Sequence, residues 1–120
     1  MLPVVKTLFI LNEAPYGTER SYNGLRLALA LAKQPETELQ IFLMADAVFC
    51  AKHGQNTPDG YYNVERMLRG LMTKGATVAC CGTCMDARGL TEEELTDGAR
   101  RSSMAELADW TLRADKVLTW

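Results

Sequence analysis

Three of the four cysteines in the chain lie within five positions, and their type and spacing indicate chemistry. Cys81 and Cys84 form a C-x-x-C unit, Cys80 precedes it, and Cys50 stands apart. If Cys81 begins a helical turn, its sulfur and that of Cys84 lie close enough to form a disulfide or to share a metal ion. A secreted disulfide framework would spread its cysteines along the chain. The clustering therefore indicates reduced thiols that react or bind metal.

The segment around the cysteines predicts a reactive thiol at Cys81. The apolar run 76–80 is typical of a β-strand, and a helix-permitting segment continues to Gly89. Cys81 is therefore expected near the carboxyl end of a strand and the amino end of a helix, where unpaired N–H groups lower the pKa of a thiol. Its side chain is expected to be open to another molecule. Because side chains alternate along a strand, Cys80 is expected to point the other way and to behave as a small apolar residue.

Zinc binding is an alternative use of the same thiols. Cys50 and His53 have C-x-x-H spacing, and together with Cys81 and Cys84 they would complete a Cys3His zinc set. Nothing else in the sequence indicates a metal-dependent fold. We therefore predict no metal and no other cofactor, and we keep the zinc set as an alternative.

Length and charge exclude several classes of protein. A chain of 120 residues is predicted to form one domain, 1–120, with one sizeable core. Thirteen Lys and Arg against fifteen Asp and Glu give a net charge of −2, so nothing favours nucleic acid or an anionic membrane as a partner. No apolar stretch reaches the length of a membrane span, and the first residues are typical of a strand rather than a signal peptide. We therefore predict a cytoplasmic protein.

The pattern of apolar residues predicts alternating strands and helices. Strands are predicted at 4–11, 39–45, 76–80 and 116–120. Helices are predicted from a cap at Thr18 or Ser21 to about Gln34, at 46–53, at 64–72 with Gly75 closing it, after 91 and after 103. Strand, helix, strand order implies right-handed parallel crossovers. The predicted fold is an α/β three-layer sandwich with a doubly wound, mostly parallel sheet of four or five strands.

In such sheets, ligands gather beyond the carboxyl ends of the strands, where segments 12–17, 46–53 and 80–84 are expected to meet. Gly17 and Gly82 can admit an anion to the backbone, although neither lies in a nucleotide-binding pattern. Tyr16 can line the same edge and contact a partner, and Arg88, one turn beyond Cys84, can offset the charge of a thiolate or persulfide. Tyr16 as part of a polar loop and Arg88 as a solvated helix cation are the alternatives.

Several motifs together resemble one family. They are A-P-Y-G-T-E at 14–19, F-L-M-A-D-A-V at 42–48, and Cys81 followed eight residues later by Gly89 in A-R-G-L. In order and spacing, over nearly the whole chain, these are similar to the DsrE/DsrF/TusD-like sulfur-relay family. The resemblance implies a doubly wound α/β domain that assembles into oligomers, often trimers or hexamers. It also implies that Cys81 holds sulfur as a persulfide and hands it to a partner in tRNA thiolation or sulfur oxidation.

The resulting hypothesis is a sulfur carrier, and thus a possible sulfurtransferase, that forms a homo-oligomer and meets a sulfur donor protein and an acceptor protein. Two alternatives stay open. One is an oligomeric binding protein without catalysis. The other is a thiol-disulfide oxidoreductase that uses Cys81 and Cys84, because a simple one-cysteine carrier does not need the second thiol and Cys84 could resolve a persulfide as a disulfide.

Overall fold

A computed structural model describes residues 3–120 and contains a single parallel sheet. The strands are β1 Val5–Leu11, β2 Thr37–Leu43, β3 Thr77–Cys81, β4 Arg100–Ser102 and β5 Lys116–Thr119. The α-helices are α1 Arg20–Ala32, α2 Val64–Thr73, α3 Gly82–Ala87 and α4 Met104–Arg113, and two 3-10 helices span Ala45–Ala51 and Glu92–Glu94. Strand order is β4-β3-β2-β1-β5, and every pairing is parallel. The predicted doubly wound α/β fold is confirmed.

Helices cover both faces of the sheet because the inner strands are apolar on both sides. On one face, α1 and α2 bury Leu25 and Leu68 in the core cluster that contains Phe9 of β1. On the other face, α4 buries Trp110, which meets Phe42 of β2 edge to face with ring centroids 6.1 Å apart. Runs of apolar residues of this kind are typical of parallel strands buried on both faces.

Strand β3 sends consecutive side chains to opposite faces of the sheet. Val78 and Cys80 belong to the cluster under α1 and α2, whereas Ala79 and Cys81 belong to the cluster under α4. Cys80 is fully buried, and burial raises the pKa of its thiol to about 12. The expected inert role of Cys80 agrees with this environment.

The end of α2 agrees with its prediction from the sequence, whereas the start of α1 does not. The side chain of Asn63 accepts a hydrogen bond from Arg66 N at 2.9 Å and begins α2, and Gly75 follows that helix with φ +97°. The predicted cap of α1 is wrong. Glu19 occupies the capping position without a side-chain bond, because Ser21 is buried and donates instead to Glu13 O at 2.7 Å.

Strand β4 does not appear among the predicted elements. It has three residues, Arg100–Ser102, and it lies at the edge of the sheet beside β3. Polar side chains hold it in place: Glu92 accepts from Arg101 N at 3.0 Å, and Glu106 forms two hydrogen bonds with Arg100 at 2.6 and 2.9 Å. The pattern of apolar residues does not predict this strand, because its three residues are all polar.

Among residues 3–120, none of the helices is both long enough and apolar enough to cross a membrane.

A buried carboxylate joins the loop after the first 3-10 helix to α2. Glu65 Oε1 accepts from Gly54 N at 3.0 Å and from Gln55 N at 2.9 Å, and Oε2 lies 3.1 Å from His53 Nδ1. Burial alone would raise the pKa of Glu65, but the hydrogen bonds, led by that from the Gln55 amide, outweigh burial and lower the pKa. Glu65 is therefore ionised in the folded chain.

Replacing Glu65 with Ala is expected to lower the free energy of unfolding by about 2 kcal/mol, because two amides lose their acceptor. Glu65→Gln keeps an oxygen for both amides and is expected to lose less. Because the pKa of Glu65 is lower in the folded than in the unfolded chain, its carboxylate stabilises the protein at pH values above the ordinary glutamate pKa. This stabilisation is lost as the pH falls through the folded pKa. The difference between wild type and Glu65→Gln should therefore shrink in acid. Urea titrations at several pH values measure it, with the exposed Glu93→Ala as control; equal losses for Glu65→Ala and Glu93→Ala would contradict the assignment.

Candidate functional site

Cys81 lies where the sheet ends and a helix begins. It is the last residue of β3 and occupies the capping position of α3, with φ −61° and ψ 118°. The four cysteines in the described chain are all free thiols. The structure thus places a reduced sulfur at the carboxyl edge of an inner strand, which is where sheets of this type hold their active groups.

The sulfur is more enclosed than we expected. Only 4% of Cys81 is exposed, because strand alternation turns the side chain toward the face that α4 covers. The expectation of a side chain open to another molecule is therefore wrong for the chain on its own. The sulfur is thus largely enclosed by its neighbours in the described chain.

The neighbours of Cys81 favour its thiolate. Burial raises the pKa of the thiol, but the Thr83 hydroxyl, the Thr83 and Cys84 amides and the Cys84 thiol outweigh burial, and the net effect is a lowered pKa. The Thr83 contribution is the largest of these, and its Oγ1 lies 3.3 Å from the Cys81 sulfur. The amides act at longer range, since the sulfur makes no capping hydrogen bond.

Cys84 is shifted in the opposite direction. Burial is the main cause that raises the pKa of its thiol, and the nearby Cys81 adds to the increase. The Ala45 amide and Arg88 lower the pKa but do not reverse the result. Ala45 has φ +49°, an unusual value for a residue with a side chain. Of the two thiols, Cys81 is therefore the first to ionise, and Cys84 remains its protonated neighbour to higher pH.

Arg88 is bonded to the first 3-10 helix and to the backbone of α3. Its Nε donates to Asp46 Oδ1 at 2.9 Å, and its Nη1 donates to Cys84 O at 3.1 Å. It is neither a freely solvated cation nor bonded to Cys81. Its charge acts on Cys84, the second thiol of the C-x-x-C unit.

Arg101 is a second arginine near the thiol pair, and it was not among the predicted site residues. Its guanidinium lies against Gly82, so close that a Cβ at residue 82 would be 2.8 Å from Arg101 Cζ. Asp86 holds it through two hydrogen bonds of 2.7 and 2.9 Å. Only β4 brings Arg101 to this place, 20 positions beyond Cys81. Arg101 can be predicted as a site residue only if β4 is predicted first.

Tyr16 and Gly17 belong to a different environment. The Tyr16 hydroxyl donates to Gln55 Oε1 at 2.5 Å and accepts from Val64 N at 3.0 Å. Its ring packs with Tyr62, with centroids 5.5 Å apart. Gly17 is exposed, has φ +97°, and has open space where a Cβ would be. These contacts give Tyr16 a structural role at the start of α2.

The possible zinc ligands do not assemble. Cys50 is fully buried, and burial raises the pKa of its thiol to about 12. His53 is 71% exposed and faces Glu65. Between residues 3 and 120, no three His, Cys, Asp or Glu side chains come together as a metal site. The site at Cys81 consists of two thiols, a hydroxyl, backbone amides and a guanidinium, a set suited to an anionic sulfur.

The fold and site define a doubly wound α/β protein with a thiol pair at the carboxyl edge of its parallel sheet. The model of the DsrE/DsrF-like family matches residues 5–120, nearly the whole chain. The chain belongs to this family.

Relatives and solved structures agree with that assignment. Protein YchN of Escherichia coli is 45% identical over 116 residues, which cover 96% of this chain and 98% of YchN, and its crystal structure superposes with a TM-score of 0.92 over 98% of this chain and all of that chain. A protein of Methanopyrus kandleri is 42% identical over 91% of this chain and 88% of its own. A protein from Methanobacterium thermoautotrophicum shares the fold, with a TM-score of 0.74 at 13% identity over 97% of this chain and 99% of its own.

Replacing Thr83 with Val is expected to raise the pKa of Cys81, because the largest favourable contact of its thiolate is removed. A hydrogen bond to a charged group corresponds to a shift of about one pH unit. The rate of alkylation by iodoacetamide, followed from pH 6 to 10 by mass spectrometry of the Cys81 peptide, measures the pKa. Thr83→Ser keeps the hydroxyl and should behave as wild type; an unchanged profile in Thr83→Val would show that the hydroxyl does not act on the sulfur.

Proposed function

We propose that this chain is a sulfur carrier that accepts sulfur as a persulfide on Cys81 and passes it to a partner protein. The opposite pKa shifts of the two thiols carry the proposal, because they give the C-x-x-C unit one nucleophile and one neutral neighbour. The sulfur-relay role implied by the resemblance to the DsrE/DsrF-like family supports the same reading.

The reaction is displacement at sulfur and needs no added oxidant. The Cys81 thiolate attacks the outer sulfur of a donor persulfide R–S–SH, a bond forms to that sulfur, and the S–S bond of the donor breaks. The products are Cys81–S–SH and the donor thiolate R–S⁻, which leaves with the electron pair. An acceptor thiolate then attacks the outer sulfur in the same way and regenerates the Cys81 thiolate. Sulfur, charge and protons balance in both steps.

The enclosure of Cys81 defines what a donor must do. With 4% of the residue exposed, transfer requires displacement of side chains at the end of β3. Thr83 is exposed and Cys84 is half-buried, and both belong to the short helix α3 that follows Cys81, so a partner protein would meet these two residues next to the sulfur. A protein partner that presents its persulfide on an extended segment fits this requirement better than a flat surface does.

Cys81→Ser is expected to abolish sulfur loading while the protein remains folded. A hydroxyl at residue 81 is a far weaker nucleophile than a thiolate and cannot hold a persulfide. The measurement is the gain of one sulfur mass after incubation with a small-molecule or protein persulfide donor. Cys80→Ala is the matched control, since Cys80 is the neighbouring buried thiol, and it should load normally. Loading of Cys81→Ser equal to that of wild type would reject the carrier.

The thiol-disulfide alternative has one specific observation in its favour, the proximity of Cys84 to Cys81. If the Cys84 thiolate attacked the inner sulfur of the Cys81 persulfide, a Cys81–Cys84 disulfide would form and HS⁻ would leave. The raised pKa of Cys84 opposes this step at neutral pH, because little thiolate is present.

Sulfide release from the loaded protein is therefore expected to be slow near neutral pH and to accelerate as pH rises toward the raised pKa of Cys84. A thiol with a raised pKa loses its proton only at higher pH, so the rate of sulfide release must increase with pH. In Cys84→Ser the acceleration should disappear, whereas loading should persist. Sulfide release, measured over about pH 7 to 10, tests this; rapid release at pH 7 from wild type but not from Cys84→Ser would favour the oxidoreductase.

The expected partners and homo-oligomer remain predictions, and we propose them as part of the same function. Leu112 and Met104 of α4 are 86% and 56% exposed. If these two side chains form one apolar patch on α4, a subunit contact would bury it.

A further inference from the structure

The Arg101 guanidinium occupies the surface of Gly82, the residue next to Cys81. The positions that a Cβ on Gly82 would approach most closely are all in that guanidinium: Cζ and Nε at 2.8 Å and Nη2 at 2.9 Å. Any side chain at residue 82 would push the guanidinium away. Glycine at this position therefore allows the cation to lie flat against the backbone beside the thiol.

Asp86 fixes the orientation of this cation. It binds Nη1 and Nη2 of Arg101, and Glu92 accepts from the Arg101 backbone N–H. The Nε–H of Arg101 has no hydrogen-bond acceptor within residues 3–120. The cation is therefore anchored from the side of α3 and still has one donor to offer at Gly82.

We propose that Arg101, anchored by Asp86 and admitted by Gly82, is the cation that stabilises negative charge on the sulfur held by Cys81. For the thiolate the proposal rests on the contact of the guanidinium with Gly82, the residue after Cys81; for the persulfide it rests also on the proposed function. A persulfide places its outer sulfur about 2 Å beyond the first, and an anionic outer sulfur requires a nearby donor or cation in so enclosed a site. Arg88 is not this cation, because its Nε and Nη1 donate hydrogen bonds to Asp46 and to Cys84 O.

Other charged groups surround the site and contribute to the pH dependence of Cys81 reactivity. The pKa of Arg101 is raised mainly by its hydrogen bonds to Asp86. The charge of the Cys81 thiolate is a smaller cause of the same increase. Charged or titratable groups on the elements around Cys81 include Cys84, Asp86 and Arg88 of the α3 segment, Asp46 of the first 3-10 helix, Glu92, Glu93 and Glu94 of the second, Arg100 of β4, and Glu106, Asp109 and Arg113 of α4.

The test compares alkylation of Cys81 by iodoacetamide across pH in wild type and Arg101→Gln, for the reduced protein and for protein loaded with a persulfide donor. Mass spectrometry distinguishes the alkylated thiol from the alkylated persulfide. Arg101→Gln is expected to move both profiles to higher pH and to slow alkylation at pH 7 about fivefold, the effect of a partly exposed charge pair. Arg113→Gln removes another ion-paired arginine, the partner of Asp109 on α4, and should change neither profile.

Gly82→Ala provides a second variant that keeps Arg101 but displaces its guanidinium. The clash involves the end of a flexible side chain, so the fold should tolerate it. The profile should shift as in Arg101→Gln. In the double variant the two shifts should not add, because both act through the same contact.

Two results would overturn the inference: an Arg101→Gln profile that coincides with that of wild type in the reduced protein, or Gly82→Ala and Arg101→Gln effects that add fully. Alkylation of the reduced protein requires no sulfur donor. If Cys81 never loads sulfur but Arg101→Gln still shifts the thiol profile, the proposed function fails while the role of Arg101 stands. If loading occurs and neither profile shifts, the carrier stands and the role of Arg101 fails.

Discussion

The parallel pairing of β3 between β2 and β4 is the constraint on which the site depends. Pairing fixes which face each side chain of β3 meets, and two adjacent cysteines consequently acquire different chemistry. Cys80 faces the apolar layer under α1 and α2, where its pKa rises to about 12. Cys81 ends the strand beside the first turn of α3 and has a lowered pKa. A shift of register by one residue would exchange their environments.

The C-x-x-C unit behaves as a coupled pair rather than as two independent thiols. Each thiol influences the other: Cys84 donates toward Cys81, and the charge on Cys81 opposes ionisation of Cys84. Protons in such a pair leave in two steps that belong to the pair. The opposite shifts of the two pKa values mean that Cys81 ionises before Cys84.

The sequence predicts those parts of the fold that rest on local patterns. The apolar run of β1, the periodicity of α2 with Gly75 at its end, and the doubly wound order all follow from neighbouring residues. The Arg101 contact does not, because it requires a three-residue polar strand that only tertiary hydrogen bonds define. The enclosure of Cys81 likewise depends on how α4 packs across the sheet. Local sequence located the thiols, but packing decides what surrounds them.

Stability does not explain why Gly82, Asp86 and Arg101 are arranged as they are. Asp86 and Arg101 are 63% and 42% exposed, and an ion pair this open to solvent contributes little to folding. Glycine is also a poor helix former, so the three residues together do not add appreciably to stability. What the arrangement does achieve is a cation fixed against the backbone of Gly82, the residue after an enclosed thiol. The role proposed for Arg101, to stabilise negative charge on that sulfur, accounts for this arrangement where stability does not.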